Sequence, residues 1–432
     1  HTRELNLREV RLVIKARENR FKAATLILRR SGSGRLSLAW ESGHQRLIPE
    51  MSPYDMRVVR AQKVGCIYPY ELLHILEGHG SDEWHSDLRQ GKFQEHDLNA
   101  QNELVPVLRP MGGNSCGVVV GILSHCTEKY PEGLNRVWIA SDPTKAMGAL
   151  AEAECRRIIE ALKLAKQKKL PVEWVPVSAG AMISMDSGTE NLDWTARVLA
   201  EIIEFTQAGG QINLIVQGIN VGAQSYWNAE ATMLMHTRGT LIMTLDGSMV
   251  LTGKKALDFS GSVSAEDERG IGGAERIMGP NGQAQFIVNS MSEAYRTLFE
   301  WYRHTYCAAN ETQPRLGLTT DPNERDISQT PYHSELTPEF SKISDLFSTA
   351  TNPDRKKPFA VRSVMAAVVD QDSPPLERFQ HLKDGETAAI WLAQIGGHPV
   401  TLIGIESQPI LRRGRIPTDG PEQWMGGTLF PQ

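Results

Sequence analysis

Two short turns of small residues are the places where this chain could do chemistry. Ser178-Ala179-Gly180-Ala181 follows an apolar run from Val172 to Val177, and Gly218-Ile219-Asn220-Val221-Gly222-Ala223 follows another, Ile212 to Val216. The second turn opens into a helical pattern from Gln224 to Thr237. Small residues let ligand atoms come close to the main chain, and N–H groups left over at a helix start attract negative charge. Stabilisation of a developing oxyanion is the chemistry such turns suit. Either turn alone reads better as a tight strand-to-helix corner. A tandem pair within one stretch, Trp174 to Asn228, asks for more.

Other chemistries fail on spacing. Gly247 to Lys255 has five residues between its glycines and Lys255 where a phosphate-binding loop needs Ser or Thr. The Gly-rich run Gly270 to Gly282 does not open a dinucleotide-binding helix. There is no G-x-S-x-G elbow. His74, His79, His85 and His96 miss the i, i+4 helical spacing of a metal pair, so no metal is expected. Glu190 and Glu230 lie near the turns, but sequence does not orient them. The chemistry left is electrostatic, through main-chain amides.

Strands and helices must position these turns. Val10 to Lys15, Ala24 to Leu28 and Leu36 to Ala39 read as an antiparallel lead-in sheet. A short extended piece, Gly65 to Tyr68, precedes a helix starting near Pro69, and the polar run Glu77 to Asp97 reads as surface loop. From Gly117 onward strand and helix alternate, which implies an α/β core. The predicted strands are Val118 to Leu123, Arg136 to Ala140, Leu241 to Leu245 and Met249 to Leu251, besides the two before the turns. The predicted helices are Ala149 to Lys169, Asp193 to Gln207 and Met291 to His304. Lysines 163, 166, 168 and 169 read as a helix end, where the dipole favours cations, rather than as a binding patch. Residues 308–358 read as a polar linker with one short helix from Phe340 to Phe347, and a new unit starts near Phe359 with a hairpin around Gly396-Gly397-His398-Pro399.

Composition sets the outer bounds. The 432 residues carry 41% hydrophobic and 22% charged side chains, enough for a core and for two or three domains. A net charge of -5 argues against a nucleic-acid partner. No apolar run approaches the roughly 18 residues of a membrane span. The five cysteines are widely spaced and odd in number, so a reducing, cytoplasmic compartment is the simplest reading. Starting at His1 and stopping at Gln432, the sequence reads as part of something longer.

With these residues in view, a family resemblance emerges. Val177-Ser178-Ala179-Gly180-Ala181 and Gly218-Ile219-Asn220-Val221-Gly222-Ala223 resemble the paired motifs of the carboxyltransferase domain of biotin-dependent acyl-CoA carboxylases, in the crotonase-like superfamily. Ile271-Gly272-Gly273-Ala274 is similar to the family's Leu-Gly-Gly segment, and Cys66 to Glu71 to the aromatic lead-in of the large multidomain enzymes. Asp354 to Arg362 and the hairpin at Gly396 to Val400 resemble the opening of the second half. The chain departs from the pattern at Met182, where the family usually has Arg.

The resemblance implies an α/β fold, a crotonase-like ββα superhelix. Its parts would be a β-rich lead-in (1–98), a first carboxyltransferase half (99–307), the linker (308–358) and the start of a second half (359–432). It implies transfer of a carboxyl group from carboxybiotin, carried on a separate carrier domain, to the α-carbon of an acyl-CoA. Main-chain amides of Gly222 and Ala223, and of Gly180 and Ala181, would hold the enolate oxygen. Ser178, Ala179, Met182, Gly218, Asn220, Gln224, Gly272 and Gly273 would shape the acyl-CoA side. Implied partners are biotin carboxylase and biotinyl carrier domains, the rest of the second half, and further copies in a homo-oligomer. Two competing readings are a crotonase-type enoyl-CoA hydratase or isomerase, and a non-catalytic CoA-binding or assembly module.

Overall fold

The computed structural model describes residues 9–15, 23–30, 36–42, 51–79, 91–185, 189–233, 238–261 and 263–429. Its N-terminal strands β1 (Glu9–Lys15), β2 (Ala23–Arg30) and β3 (Leu36–Ser42) form the antiparallel sheet their alternation predicts. Helix α1 (Pro53–Lys63) follows, with Ser52 accepting from the Asp55 N–H and Pro53 in the first turn. Helix α2 (Pro69–His74) starts where the sequence predicts. Gly65 to Tyr68 is a connection between these helices rather than a strand.

The body is one eight-stranded mixed sheet. Its first four strands, β4 (Gly91–Leu98), β5 (Leu104–Pro106), β6 (Val118–His125) and β7 (Leu134–Ser141), pair antiparallel. Beyond β7 the sheet turns parallel, through β8 (Val172–Val175) and β9 (Ile212–Val216). Helices α3 (Glu152–Lys168) and α4 (Glu190–Gln207) make the crossovers that parallel pairing requires. Past β9 come a short strand β10 (Ile219–Val221), helix α5 (Ala223–Ala231), and strands β11 (Thr240–Thr244) and β12 (Ser248–Val250). Then follow α6 (Lys254–Ser260), α7 (Glu268–Gly272), β13 (Phe286–Val288) and α8 (Met291–Thr305). Strands β11 and β13 complete the parallel edge.

Both faces of the parallel part of this sheet are covered, so β8, β9 and β11 are largely apolar runs buried along their length. On one face Ile139, Trp174 and Leu214 pack with Cys155, Ile158 and Leu162 of α3 and Val198 and Ile202 of α4. On the other, Trp138, Val175 and Ile215 pack with Leu72 of α2 and Tyr295, Leu298 and Tyr302 of α8. Between the strands, Arg136 and Glu173 form a fully buried ion pair at 2.5 Å.

Residues 308–358 have little regular structure, yet Tyr332, Phe340, Ile343 and Leu346 form a small core together with Ala367. They precede α9 (Val361–Val368) and a three-stranded antiparallel sheet of β14 (Leu376–Arg378), β15 (Ala388–Ile395) and β16 (His398–Ile405). The β15–β16 turn is Gly396-Gly397, with φ of 57° and 76°, conformations open to glycine.

Two expectations need correction. The run Glu77 to Asp97 is not all loop, because its end is strand β4, paired with β6. Glu95 and Asp97 are buried there by ion pairs from Arg109 and, for Asp97, Arg157. Helix α5 also stops earlier than the pattern to Thr237 suggested, at Ala231, and Thr237 itself lies outside the described residues.

Candidate functional site

The two turns leave the same ends of adjacent parallel strands, β8 and β9, and meet above the sheet. Ser178 donates its N–H to the Ile219 carbonyl at 3.2 Å, and Val221 returns its own to the Ser178 carbonyl at 2.9 Å. Leu150 flanks the first turn: its N–H donates to Gly180 O at 2.9 Å, and Met182 N–H donates to Leu150 O at 2.8 Å. On the other flank β10 runs parallel to β12. The result is a narrow ledge of chain, separate from the main sheet.

Two glycines make the ledge possible. Gly180 has φ 92° and Gly222 has φ 62°, both in the region side chains disfavour. A β-carbon on Gly222 would lie 3.7 Å from Gly180 Cα, so the turns nearly touch there. Gly218, with φ 61°, has a different reason: a β-carbon would stand 2.4 Å from Cys66 Sγ. Burial and the nearby Asp246 push the Cys66 thiol up to about 12, so it acts as packing and not as a nucleophile.

The destinations of the amides narrow the predicted donors. Gly222 N–H is taken by Val250 O at 2.9 Å, completing the β10–β12 ladder, and Gly180 N–H by Ser178 Oγ at 3.0 Å. The expectation that Gly222 and Gly180 offer these N–H groups to a substrate is therefore corrected. Ala223, the first residue of α5, and Ala181 have N–H groups with no acceptor among the described residues. They sit on the two turns that Ser178 and Val221 tie together.

Asn220 and Gln224 were expected beside the substrate, yet both side chains are fully buried beneath the ledge. Asn228 Nδ2 donates to Asn220 Oδ1 at 3.3 Å, and Gln224 Nε2 to Asn228 Oδ1 at 2.9 Å. Ser225 Oγ donates to Asn220 O at 2.8 Å. This network fixes the second turn from below. Gly272 and Gly273 likewise are packing positions: their β-carbons would fall 1.9 Å from Met249 O and 2.4 Å from Arg269 O. Ala179 is exposed, and Met182 is half-buried with its carbonyl accepting from Asn191 Nδ2 at 2.8 Å. Segments leaving the ledge carry exposed apolar side chains, Ile183, Met185, Tyr226 and Leu251.

Leu150 and Val250, which brace the ledge on either side, carried no sequence signal. Just before Leu150, Ala146, Met147 and Gly148 all have positive φ (47°, 56° and 69°). A β-carbon at Gly148 would lie 2.1 Å from Val177 O, so this strained corner is pressed against the approach to the first turn. Gly148 was the one residue there that could have pointed to it.

The model of the carboxyl transferase domain matches residues 131–432, both turns included. The chain belongs to the carboxyl transferase domain family. Relatives of this carboxyl transferase chain include "Acetyl-CoA carboxylase 2" of Arabidopsis thaliana, 23% identical over 76% of the chain and 15% of the relative. Another is "Acetyl-CoA carboxylase" of Dictyostelium discoideum, 24% identical over 54% of the chain and 12% of the relative. "Acetyl-CoA carboxylase" of Schizosaccharomyces pombe is 26% identical over 34% of the chain and 7% of the relative. The carboxyl transferase chain thus spans a small part of each relative's length. Among its described residues, no helix is long and apolar enough to cross a membrane.

Proposed function

We propose that this chain is the acyl-CoA side of a biotin-dependent carboxyltransferase, in which Ala223 N–H and Ala181 N–H hold the oxygen of a thioester enolate. The observation that carries this reading is the pair of unpartnered amides on two hydrogen-bonded turns. Carboxybiotin, brought on a separate carrier domain, would supply the carboxyl group that bonds to the acyl α-carbon. The turns' own residues, 178–182 and 218–224, include no titratable side chain. That donor set fits a reaction whose base arrives with the carboxyl carrier, and it disfavours a hydratase, which needs an acid/base pair at the site.

In this reading the body and the unit from Phe359 belong to two crotonase-like superhelical halves, and the active site closes only when a second half faces the ledge in a homo-oligomer. The exposed Ile183, Met185, Tyr226 and Leu251 are suited to line that interface or the acyl-CoA. Met182 in place of Arg leaves the first turn without a fixed charge, which would alter acyl-CoA preference.

The test is Ala223→Pro in the intact parent carboxylase. Proline is tolerated at the first helical position but has no N–H. Losing one oxyanion donor costs on the order of a hundredfold or more in rate. Carboxyl transfer should fall by that amount while Ala223→Ser stays active. Full activity of Ala223→Pro would overturn the assignment, and acyl-CoA binding without any transfer by the unmutated protein would favour a non-catalytic module.

A further inference from the structure

A cavity of about 510 Å³ lies at the opposite end of the parallel strands from the ledge. It is lined by the residues leading into β8, β9 and β11 (Pro171, Gln211 and Arg238), by α8, and by β14 to β16. Strand β9 has five residues, so at about 3.3 Å per residue the cavity is some 15 Å or more from the turns.

Its charge is one-sided. Lys166, Lys169, Arg238 and Arg378 line it, and among the described residues no carboxylate does. Lys166 is occupied at the rim by Glu204. Lys169, Arg238 and Arg378 have no carboxylate partner among the described residues. Arg378 matters most. Its guanidinium lies 4.9 Å from the Trp301 ring centroid and 5.1 Å from that of Phe379, and Nη2 donates to Gln285 Oε1 at 2.7 Å. Its Nε is cut off from water and unpartnered. Burial alone, with no opposing carboxylate, holds its pKa down at about 10. Arg378 as a whole is half-buried, and a charge drawn partly out of water without a counter-charge is costly.

His304 and Trp301, at the floor of the cavity, are almost wholly buried, yet both ring nitrogens of His304 and the indole Nε1 of Trp301 lack a hydrogen-bond partner. The Ala393 backbone is near His304 but does not complete a hydrogen bond. Trp301 and the neutral imidazole can each offer one N–H, the second imidazole nitrogen being an acceptor, but these nitrogens are covered by protein atoms and not open to the cavity.

We propose that this cavity binds a compact multivalent oxyanion, of phosphate or carboxylate type, with Arg378 as its half-buried counter-charge and Lys169 and Arg238 at its mouth. Because the cavity joins α8 of the first unit to β14–β16 of the next, the anion braces their junction at a distance from the ledge. The lysines at the end of α3, which sequence alone assigned to a helix terminus, acquire a second use at Lys169.

The test is calorimetric titration of the 432-residue chain with inorganic pyrophosphate and, separately, with succinate, alongside thermal melts. Saturable binding of at least one probe, one per chain, is expected, with pyrophosphate alone indicating a phosphate-bearing ligand and succinate alone a carboxylate. Affinity should drop at least tenfold in Lys169→Ala/Arg238→Ala, whose changes lie at the rim and spare the core. Arg378→Met should melt higher than the unmutated chain without anion, and gain nothing when the anion is added. No saturable binding of either probe at millimolar concentrations, or unchanged binding in the rim variant, would overturn the proposal.

Discussion

Val221 donates its N–H to the Ser178 carbonyl at 2.9 Å, which makes the two small-residue turns one hydrogen-bonded unit. The Ala181 and Ala223 amides therefore keep a fixed relation, and a disturbance of either turn is felt at both. Preorganised donors gain their catalytic value from this kind of rigidity.

Gly218 offers a way to disturb the unit from behind. Alanine there would be strained at φ 61° and would collide with Cys66 Sγ at 2.4 Å. Gly218→Ala should lose about 1–3 kcal/mol in chemical denaturation and impair carboxyl transfer in the parent enzyme. Adding Cys66→Ala should recover the part due to collision but not the part due to strain. If the double variant is no more stable than Gly218→Ala, the thiol is not the obstacle.

The pair Arg136–Glu173 is expected to matter for stability without touching the ledge. Glu173 also accepts from Tyr295 OH at 2.7 Å, and Arg136 Nη1 meets His125 Nδ1 at 2.9 Å. Glu173→Gln would leave a buried guanidinium uncompensated, a loss of about 3–5 kcal/mol. Replacing both partners by apolar residues should cost much less than the two single changes together. Urea denaturation of the four proteins in this cycle measures both effects.

A pH dependence follows from His304. Burial first, and then Arg303 and Lys129, lower its pKa to about 4. In the unfolded chain it would titrate near 6.5. Between those values the unfolded chain holds a proton the native one refuses, so stability should fall as pH drops from about 6.5 toward 4. His304→Phe should flatten that part of the curve. Urea midpoints at several pH values provide the check, and an equal slope in both proteins would refute the assignment.

What could be read from the sequence was what depends on local spacing. The strands before the turns, the helices α3, α4 and α8, and the Gly-Gly hairpin all rest on periodicity or on turn residues close in the chain. Strand β4 did not, since Glu95, His96 and Asp97 in succession look like surface. Burial pushes Asp97 up, but hydrogen bonds from Arg109 and the Leu98 N–H, together with Arg157, outweigh it and hold the carboxyl below its ordinary range. Those arginines come later in the sequence. The site divides the same way. Small residues marked the turns, but whether Gly222 or Ala223 has a free N–H depends on Val250, which spacing could not place.

The family match begins at residue 131, whereas β4, β5 and β6 all precede it and extend the sheet beyond β7, with β6 on β7, β4 on β6 and β5 on β4. The unit that similarity delineates is thus smaller than the unit that can stand in water. A protein cut at residue 131 would bare the side of β7 that β6 now occupies, a long apolar edge ready to recruit another chain. In the intact protein the sheet ends instead at β5, three residues long and closed by Pro106, which has no N–H to offer a newcomer. The upstream segment is the sheet's selvedge: it carries none of the ledge and keeps the fabric from running.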